Sequence, residues 1–236
     1  MKDGPSTNAA RRPSQYEVVV NGIQGMISSG EIAPGDRLPV ELILADRFKV
    51  SRGSLREGVR ALVAMGILET RQGSGTTVTS LDPHLLLQPL TFWAGMQAGT
   101  SSRELHAVRR ALEVEAAASA ATQRTEDDVI RLAEELQKAE PAIRASDHEA
   151  AMAVDLAFHL EIARMSGNPV LIALLEAISR PTLRMRMWQS IHHGGRLENT
   201  HHEHHAVLNA IASGDPVGAQ AAMHTHLGQV AAHLEN

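Results

Sequence analysis

Cysteine is absent from the 236 residues of the sequence, which excludes disulfide bonds and thiolate-based metal or redox chemistry. Aromatic residues make up only 3% of the chain, as expected for helices rich in alanine and leucine. No apolar run approaches the roughly 18–20 residues that a membrane-spanning helix needs. The N-terminus also lacks the apolar segment of a secretory signal peptide. We therefore expect a soluble cytoplasmic protein with no membrane partner.

The chain as a whole has no excess of positive charge, since its formal net charge is −5, but its two parts differ. Residues 1–80 hold ten Lys and Arg against eight Asp and Glu, a net charge of +2. The remaining residues hold twelve against nineteen, a net charge of −7, together with all thirteen histidines. This asymmetry indicates two domains that bind different partners.

Residues 50–62 predict a short amphipathic helix. Leu55, Val59 and Leu62 recur at i, i+4 and i+7 and form one apolar stripe, which Ser51 precedes as the predicted N-cap. The first turn and the other face carry Arg52, Ser54, Arg56 and Arg60. Such a helix fits the major groove of DNA, where arginine forms two hydrogen bonds with guanine and serine contacts phosphate. Taken alone, the pattern describes a solvated surface helix equally well.

The neighbouring segments favour DNA binding. Residues 16–29 carry apolar side chains at helical spacing, and a second short helix begins at Pro39. After the arginine-bearing helix, the β-prone runs 67–70 and 76–79 flank Gly73-Ser74-Gly75 and predict a hairpin. A helix-turn-helix followed by a hairpin is a winged helix-turn-helix. Arg71 and Gln72 lie beside the predicted tip of the wing, where the backbone can approach DNA.

Residues 16–79 resemble the DNA-binding domain of the GntR superfamily of bacterial transcription regulators. The resemblance is carried by four stretches: 32–39 (IAPGDRLP), 50–57 (VSRGSLRE), 66–68 (GIL) and 73–75 (GSG). In that family the residues that match Arg52, Arg56 and Gly73 contact DNA, so the resemblance implies the same role here. The family's second helix often carries a DNA-contacting arginine two residues after a glutamate-like position. This chain has the apolar Glu41-Leu42-Ile43 there, which implies a different operator preference.

The rest of the chain alternates long helical patterns with breakers and predicts a mainly α protein whose C-terminal part is an antiparallel bundle of six or seven helices. Helices are expected at 102–122, 125–141, 146–165, 170–191 with a kink at Pro181, 197–213 and 217–234. The expected domains are a disordered arm at 1–14, the winged helix-turn-helix at 15–80, a linker with a short docking helix at 81–100, and the helical domain at 101–236.

Four ionisable side chains are predicted to converge inside the bundle. Asp155 and His159 are spaced i, i+4 on an apolar helix face, and His204 and His226 lie on the apolar faces of the last two helices. For each residue alone, a hydrogen-bonded core position is the commoner explanation. Burying all four without compensation would be costly, and a divalent cation such as Zn²⁺, Ni²⁺, Mn²⁺ or Fe²⁺ resolves the cost.

Residues 103–228 resemble the FCD ligand-binding domain of FadR-type GntR regulators. The matching stretches are 108–113 (VRRALE), 155–159 (DLAFH), 166–169 (SGNP), 203–204 (EH), 210–215 (AIASGD) and 226–227 (HL). The metal ligands of that family match the same four residues, with zinc the first expectation and His205 as an alternative to His204.

Two further residues are candidates for binding an effector. Arg109 matches the family arginine that pairs with the carboxylate of the effector, although a surface salt bridge to Glu113 explains it equally well. Asn168 is a second candidate, and its position at a helix start suggests an N-cap as the alternative.

The resemblance implies a metal-containing, homodimeric transcription regulator, most often a repressor, without catalytic residues. Two winged helices would bind the half-sites of a palindromic operator, and a small organic acid bound near the metal and Arg109 would change their spacing. Two alternatives stay open. A metal-dependent hydrolase or oxygenase with a DNA-binding appendage would need a buried general base, for which only Glu161 and Glu203 are candidates. A metal-free regulator would instead bind an acyl thioester.

Overall fold

The computed structural model describes residues 13–96, 102–179 and 197–234, and the chain divides after Leu86 into two compact units. The front unit contains α1 (Gln15–Ser28), α2 (Glu41–Phe48), α3 (Arg52–Ala64), β1 (Leu68–Arg71), β2 (Gly75–Val78) and α4 (Pro83–Leu86). The back unit contains α5 (Gln88–Met96), α6 (Ser102–Gln123), α7 (Glu126–Gln137), α8 (Ala139–Arg144), α9 (His148–Met165), α10 (described at 169–179), α11 (Leu197–Ser213) and α12 (Pro216–Leu234). Within these ranges, no helix has the length and apolar character needed to cross a membrane.

In the front unit, α3 packs its apolar stripe against α1, as the periodicity predicts. Leu55 and Leu62 are buried in the core of this unit. Gly58 lies on the same face, and a Cβ atom there would stand only 2.5 Å from Cγ1 of Val19, so glycine permits the close approach of the two helices. The predicted N-cap is confirmed, because the hydroxyl of Ser51 accepts a hydrogen bond of 3.0 Å from the amide of the third helical residue.

The predicted hairpin is confirmed, with each strand one residue nearer the turn. β1 and β2 pair antiparallel, from Leu68 opposite Val78 to Arg71 opposite Gly75. The two apolar residues at the base are buried in the core of the front unit. The turn contains Gly73 with φ +79°, a left-handed conformation that favours glycine. The wing is therefore fixed at its base and exposed at its tip.

In the back unit, the core forms around α6, which packs against α9, α11 and α12. One face of α6 carries four fully buried alanines, and these small side chains let the neighbouring helices approach closely. They are Ala116, Ala117, Ala120 and Ala121. Phe158 and Leu227 are completely buried against this core. Close helix packing through alanine explains how the bundle forms with few aromatic residues.

The helix expected at 125–141 is two helices, so that prediction is wrong at its end. Thr125 caps α7 in a reciprocal capping box with Asp128. Helical structure then resumes in α8, where Pro141 occupies the first turn and its missing N–H leaves no hydrogen bond unmade. The kink expected at Pro181 lies outside the described residues, as do the remaining residues of that helix beyond 179.

Candidate functional site

The structure brings the four predicted metal ligands together inside the bundle. Asp155 and His159 lie one turn apart on α9, His204 lies on α11 and His226 on α12. The Oδ1 atom of Asp155 is 3.6 Å from Nε2 of His159 and 3.5 Å from Nε2 of His204. The Nε2 atom of His226 is 3.3 Å from the corresponding atom of each of the other two histidines. All four side chains are buried.

These distances fit a single metal ion. One ligand atom of each residue lies within 4.8 Å of the others. Ligands at bond lengths of about 2.0–2.1 Å and tetrahedral angles stand roughly 3.3 Å apart, close to the spacings observed here. Three imidazole nitrogens and one carboxylate oxygen form a donor set suited to Zn²⁺ and to neighbouring transition metals. The cluster could therefore hold a divalent transition-metal ion.

Two glutamates outside the cluster orient its histidines. Oε2 of Glu113 on α6 contacts Nδ1 of His159, and Oε2 of Glu203 lies 2.9 Å from Nδ1 of His226. A carboxylate at Nδ1 keeps the proton on that nitrogen and leaves Nε2 as the ligand atom. In that tautomer the Nε2 lone pairs of both histidines can bind a shared cation. Carboxylate–histidine pairs of this kind are typical of metal sites.

Glu113 is a residue of the candidate site that the sequence analysis missed. The pair that it forms with Arg109 was considered only as a surface salt bridge, whereas both side chains are buried. Likewise, the search for a buried carboxylate named Glu161 and Glu203 but not this residue. The sequence signal that was available is weak. Ala116, Ala117 and Ala120 follow Glu113 at i+3, i+4 and i+7, so they lie on the same face of α6, and this face is buried in the bundle.

Burial and neighbouring charges shift the pKa values in the cluster. Burial alone would raise the pKa of Glu113, but the Arg109 guanidinium and His159 hold it well below its usual range. Burial lowers the pKa of His204 well below that of free histidine, and His226 adds to this effect. Burial also lowers the pKa of His226, although the hydrogen bond that its Nδ1 donates to Glu203 acts to raise it. These two imidazoles are therefore neutral at pH 7, which is the form that binds metal.

His159 behaves in the opposite way. Burial acts to lower its pKa, but the carboxylates of Glu113 and Asp155 outweigh burial and raise the pKa above the usual value. Without a metal ion, His159 therefore tends to hold a proton at Nε2. A metal ion that binds the cluster must displace this proton, so metal binding and protonation compete.

Arg109 projects two unused hydrogen-bond donors into the protein interior. Its Nε atom contacts Glu113, while Nη1 and Nη2 are buried and have no hydrogen-bond partner among the described residues. Buried guanidinium nitrogens without partners are rare, and a planar carboxylate is the group that fits both at once. Asn168 has a different role, since its Oδ1 accepts hydrogen bonds from the backbone of Val170 and Leu171 at the start of α10.

His205, the alternative ligand, lies on a different face of α11 from the cluster. It is exposed to solvent, and its Nε2 atom is 3.2 Å from Nε2 of His201. His204 is buried and stacks on Phe158 with ring centroids 4.5 Å apart. The structure therefore places His204, and not His205, beside Asp155.

The front unit carries a second candidate site, a groove of about 490 Å³ bounded by α2, α3 and the wing. Three arginines line it: Arg37, Arg56 and Arg60. Arg56 forms an ion pair of 2.9 Å with Glu41 of α2, which holds its guanidinium at the groove. Arg37 was not among the predicted DNA-contacting residues; its guanidinium packs on Gly75 of the wing, a tertiary contact that no local pattern indicates.

The remaining predicted DNA-contacting residues differ in their availability. Arg52 and the tip residues Gln72 and Gly73 are exposed, and Arg71 is exposed but pairs with Glu69 at 3.2 Å. The hydroxyl of Ser54 donates a hydrogen bond of 2.9 Å to Gln15 and thereby connects α3 to α1. In α2, the exposed surface is apolar at Leu42 and Ile43.

Comparison with known proteins adds independent information. Residues 15–78 match the family model "Bacterial regulatory proteins, gntR family", and residues 104–229 match the FCD domain. The chain is 36% identical over 209 residues to the HTH-type transcriptional regulator LutR of Bacillus subtilis, and the aligned residues cover 87% of this chain and 94% of LutR. It is 30% identical over 218 residues to the Exu regulon transcriptional regulator of Escherichia coli, which covers 90% and 81% of the two chains. Among solved structures, Streptococcus agalactiae GntR superposes with a TM-score of 0.64 at 27% identity, covering 94% of this chain and all of the other.

Proposed function

Because the chain belongs to the GntR family of bacterial transcription regulators and carries an FCD domain, we propose that a divalent metal ion and a small organic acid in its back unit control its binding to DNA. The protein is a transcription regulator and not an enzyme, which removes the hydrolase or oxygenase alternative. The observation that carries the proposal is the buried cluster of three histidines and one aspartate, with carboxylates behind two of the histidines.

The residues that would hold the ion are Asp155, His159, His204 and His226. A bound divalent ion supplies a positive centre with positions left open for the oxygen of an acid. This donor set also distinguishes the proposal from a metal-free regulator that binds an acyl thioester, because such a protein has no use for four converging ligands. Zinc is our first expectation, and nickel, manganese and iron are alternatives.

Elemental analysis of protein purified without added metal tests this assignment. We expect a tightly held divalent ion in the wild type and loss of that ion in His204→Ala, because a buried ligand is removed. His202→Ala is the matched control, since His202 lies on the same helix but is exposed and bonds only to a backbone carbonyl. Equal metal content in all three proteins would overturn the assignment.

The proposed effector is a small carboxylate that binds both the ion and Arg109. The support for a carboxylate comes from Arg109, whose buried Nη1 and Nη2 atoms have no hydrogen-bond partner among the described residues. The carboxylate of an acid would accept a hydrogen bond from each of these two nitrogens. Asn168 is the second candidate for the effector site, and its Oδ1 also caps the start of α10.

A screen of small mono- and dicarboxylic acids tests the effector proposal. An acid that raises the melting temperature of the wild-type protein should also release this protein from its operator. The same acid should release Arg109→Lys from the operator less effectively. This variant keeps the charge beside Glu113 but lacks the two-pronged geometry. Its metal content serves as the control for folding. If the acid acts equally on both proteins, the role of Arg109 is wrong.

For binding DNA, we propose that Arg52, Arg56 and the wing tip contact the operator. Ser54, Arg71 and Gln72 complete the proposed surface. In this scheme a homodimer places two winged helices on the half-sites of a palindrome and represses transcription in the cytoplasm. Regulation requires that the acid bind the DNA-free conformation more tightly than the DNA-bound one.

Gel shifts with DNA from upstream of the gene itself test the DNA surface. Arg56→Ala should weaken operator binding by about 1–3 kcal/mol if the guanidinium reads a base. Arg144→Ala is a matched control, because Arg144 is also exposed and also paired with a glutamate, but lies in the back unit. Unchanged affinity for Arg56→Ala would show that another part of the surface reads the operator. Light scattering of the free protein tests the dimer.

A further inference from the structure

We propose that His201 and His205 form a second, solvent-facing site for a divalent transition-metal ion, at the mouth of a crevice that leads to the buried cluster. The two residues lie one turn apart on α11, and their Nε2 atoms are 3.2 Å apart. Their rings stand almost perpendicular, at 85°, with centroids 4.6 Å apart. The four-ligand cluster does not use either residue.

The spacing of this outer pair matches that of ligands on one ion. Two nitrogens 3.2 Å apart, each about 2.0–2.1 Å from a shared ion, would subtend an angle of roughly 100° at it. The pair His204 and His226 within the buried cluster has nearly the same Nε2 separation, 3.3 Å. Histidines at i and i+4 on a helix are a known arrangement for binding zinc, and water molecules can complete the coordination.

The surroundings of the outer pair suggest its purpose. His205 is exposed to solvent, whereas His201 is half-buried and lines a crevice of about 20 Å³ together with Asp155 and His204. This volume is about that of a single water molecule. The remaining lining is mostly apolar and includes Met152 and Leu197. His201 therefore belongs to the outer pair and also lines the crevice beside two residues of the buried cluster.

A buried metal site needs a route by which the ion arrives. An ion held by the outer pair has already exchanged some of its water for imidazole and lies beside the crevice that reaches Asp155 and His204. We therefore assign the outer pair the role of a loading site for the buried cluster. That role rests on the proposed function of the cluster, whereas the existence of the outer site does not.

Equilibrium dialysis of the chelator-treated, full-length chain against Ni²⁺ or Zn²⁺ tests the outer site. We expect the wild type to bind one ion more per chain than His205→Ala, because this change removes an exposed ligand without touching the cluster. His224→Ala is the matched control, since His224 is also exposed but lies apart on α12. It should bind as many ions as the wild type.

The comparison depends on the difference between the variants and not on the total. If the buried cluster binds no metal, the wild type should still hold one ion and His205→Ala none. Failure of the proposed function of the cluster can therefore be distinguished from failure of the outer site. Equal numbers of bound ions in the wild type and His205→Ala would overturn the outer site. Loading is tested separately by the rate at which the buried cluster of the chelator-treated chain takes up its ion. This rate should fall in His205→Ala, whereas the final occupancy of the cluster should stay the same. An unchanged rate would overturn the loading role.

Discussion

The two units of the chain each contain an arginine–glutamate pair, and they place it in opposite environments. In the front unit, the side chains of Arg56 and Glu41 are 61% and 50% exposed. In the back unit, those of Arg109 and Glu113 are 1% and 2% exposed. The first pair remains available to a partner that approaches from solvent, as DNA does. The second pair is available only to a ligand that enters the protein.

The exposed and the buried ion pair differ in what they contribute to the free energy of unfolding. An exposed ion pair contributes about 0–1 kcal/mol, because water solvates both charges well whether they are paired or apart. A buried pair loses that solvation, and its stability depends on every neighbour that compensates the charge. Here the compensation extends from Arg109 through Glu113 to His159 and from there to Asp155. The buried charges around Arg109 therefore form one connected network, whereas Arg56 and Glu41 form an exposed pair.

The sharpest test of this comparison makes the same chemical change in both pairs. In the back unit, Glu113→Gln should lower the free energy of unfolding by about 3–5 kcal/mol, because it leaves the buried charge of Arg109 unpaired. It should also weaken metal binding, since His159 loses the carboxylate that directs its Nε2 toward the cluster. Denaturant unfolding with and without added metal measures both effects. A loss below about 1 kcal/mol would mean that the pair behaves as an exposed one.

The histidines provide a second, smaller test. The lowered pKa values of His204 and His226 mean that these groups take up protons on unfolding, so their contribution to stability is complete above 6.5, the ordinary histidine pKa, and is lost as the pH falls below it. The raised pKa of His159 acts in the opposite direction, since its contribution is lost as the pH rises through the raised value. With two groups against one, metal-free protein should become less stable as the pH falls through 6.5.

Variants assign this pH dependence to the back unit. No histidine occurs among residues 1–80, so the winged helix-turn-helix does not contribute to it. His204→Gln should reduce the loss of stability at low pH, because glutamine does not titrate. If His204→Gln retains the full pH dependence, protons are taken up elsewhere in the protein.

The comparison also explains which features were predictable from the sequence. The apolar stripe of α3 and its Ser51 cap are local patterns, and the structure reproduces both. Asp155, His159, His204 and His226 were selected because each shares a helix face with large apolar residues, and the structure places them together. In each case, a strong periodic signal identifies the side of the helix that faces inward.

Other features depend on packing between distant segments, or on residues with weak preferences. Alanine is compatible with both surface and core, so the alanine-rich α6 did not reveal that Glu113 faces inward. The break between α7 and α8 contains neither glycine nor proline, and Pro141 lies after it, inside the first turn of α8. Arg37 lines the groove of the front unit because its guanidinium packs against Gly75 of the wing. Local sequence patterns carry no information about such contacts.

The smallest expected effect comes from the counterpart change in the front unit, Glu41→Gln. The free energy of unfolding should change by less than about 1 kcal/mol, because both side chains of the exposed pair stay solvated. Glutamine still offers an oxygen to Arg56, so operator binding should persist. Removing a negative charge from the groove should also strengthen binding to DNA of any sequence, most clearly at low salt, if the groove faces phosphates as proposed. Gel shifts at two salt concentrations, beside unfolding curves of Glu41→Gln and Glu113→Gln, measure these outcomes. A loss of stability in Glu41→Gln as large as that in Glu113→Gln would show that both units depend on their ion pairs alike.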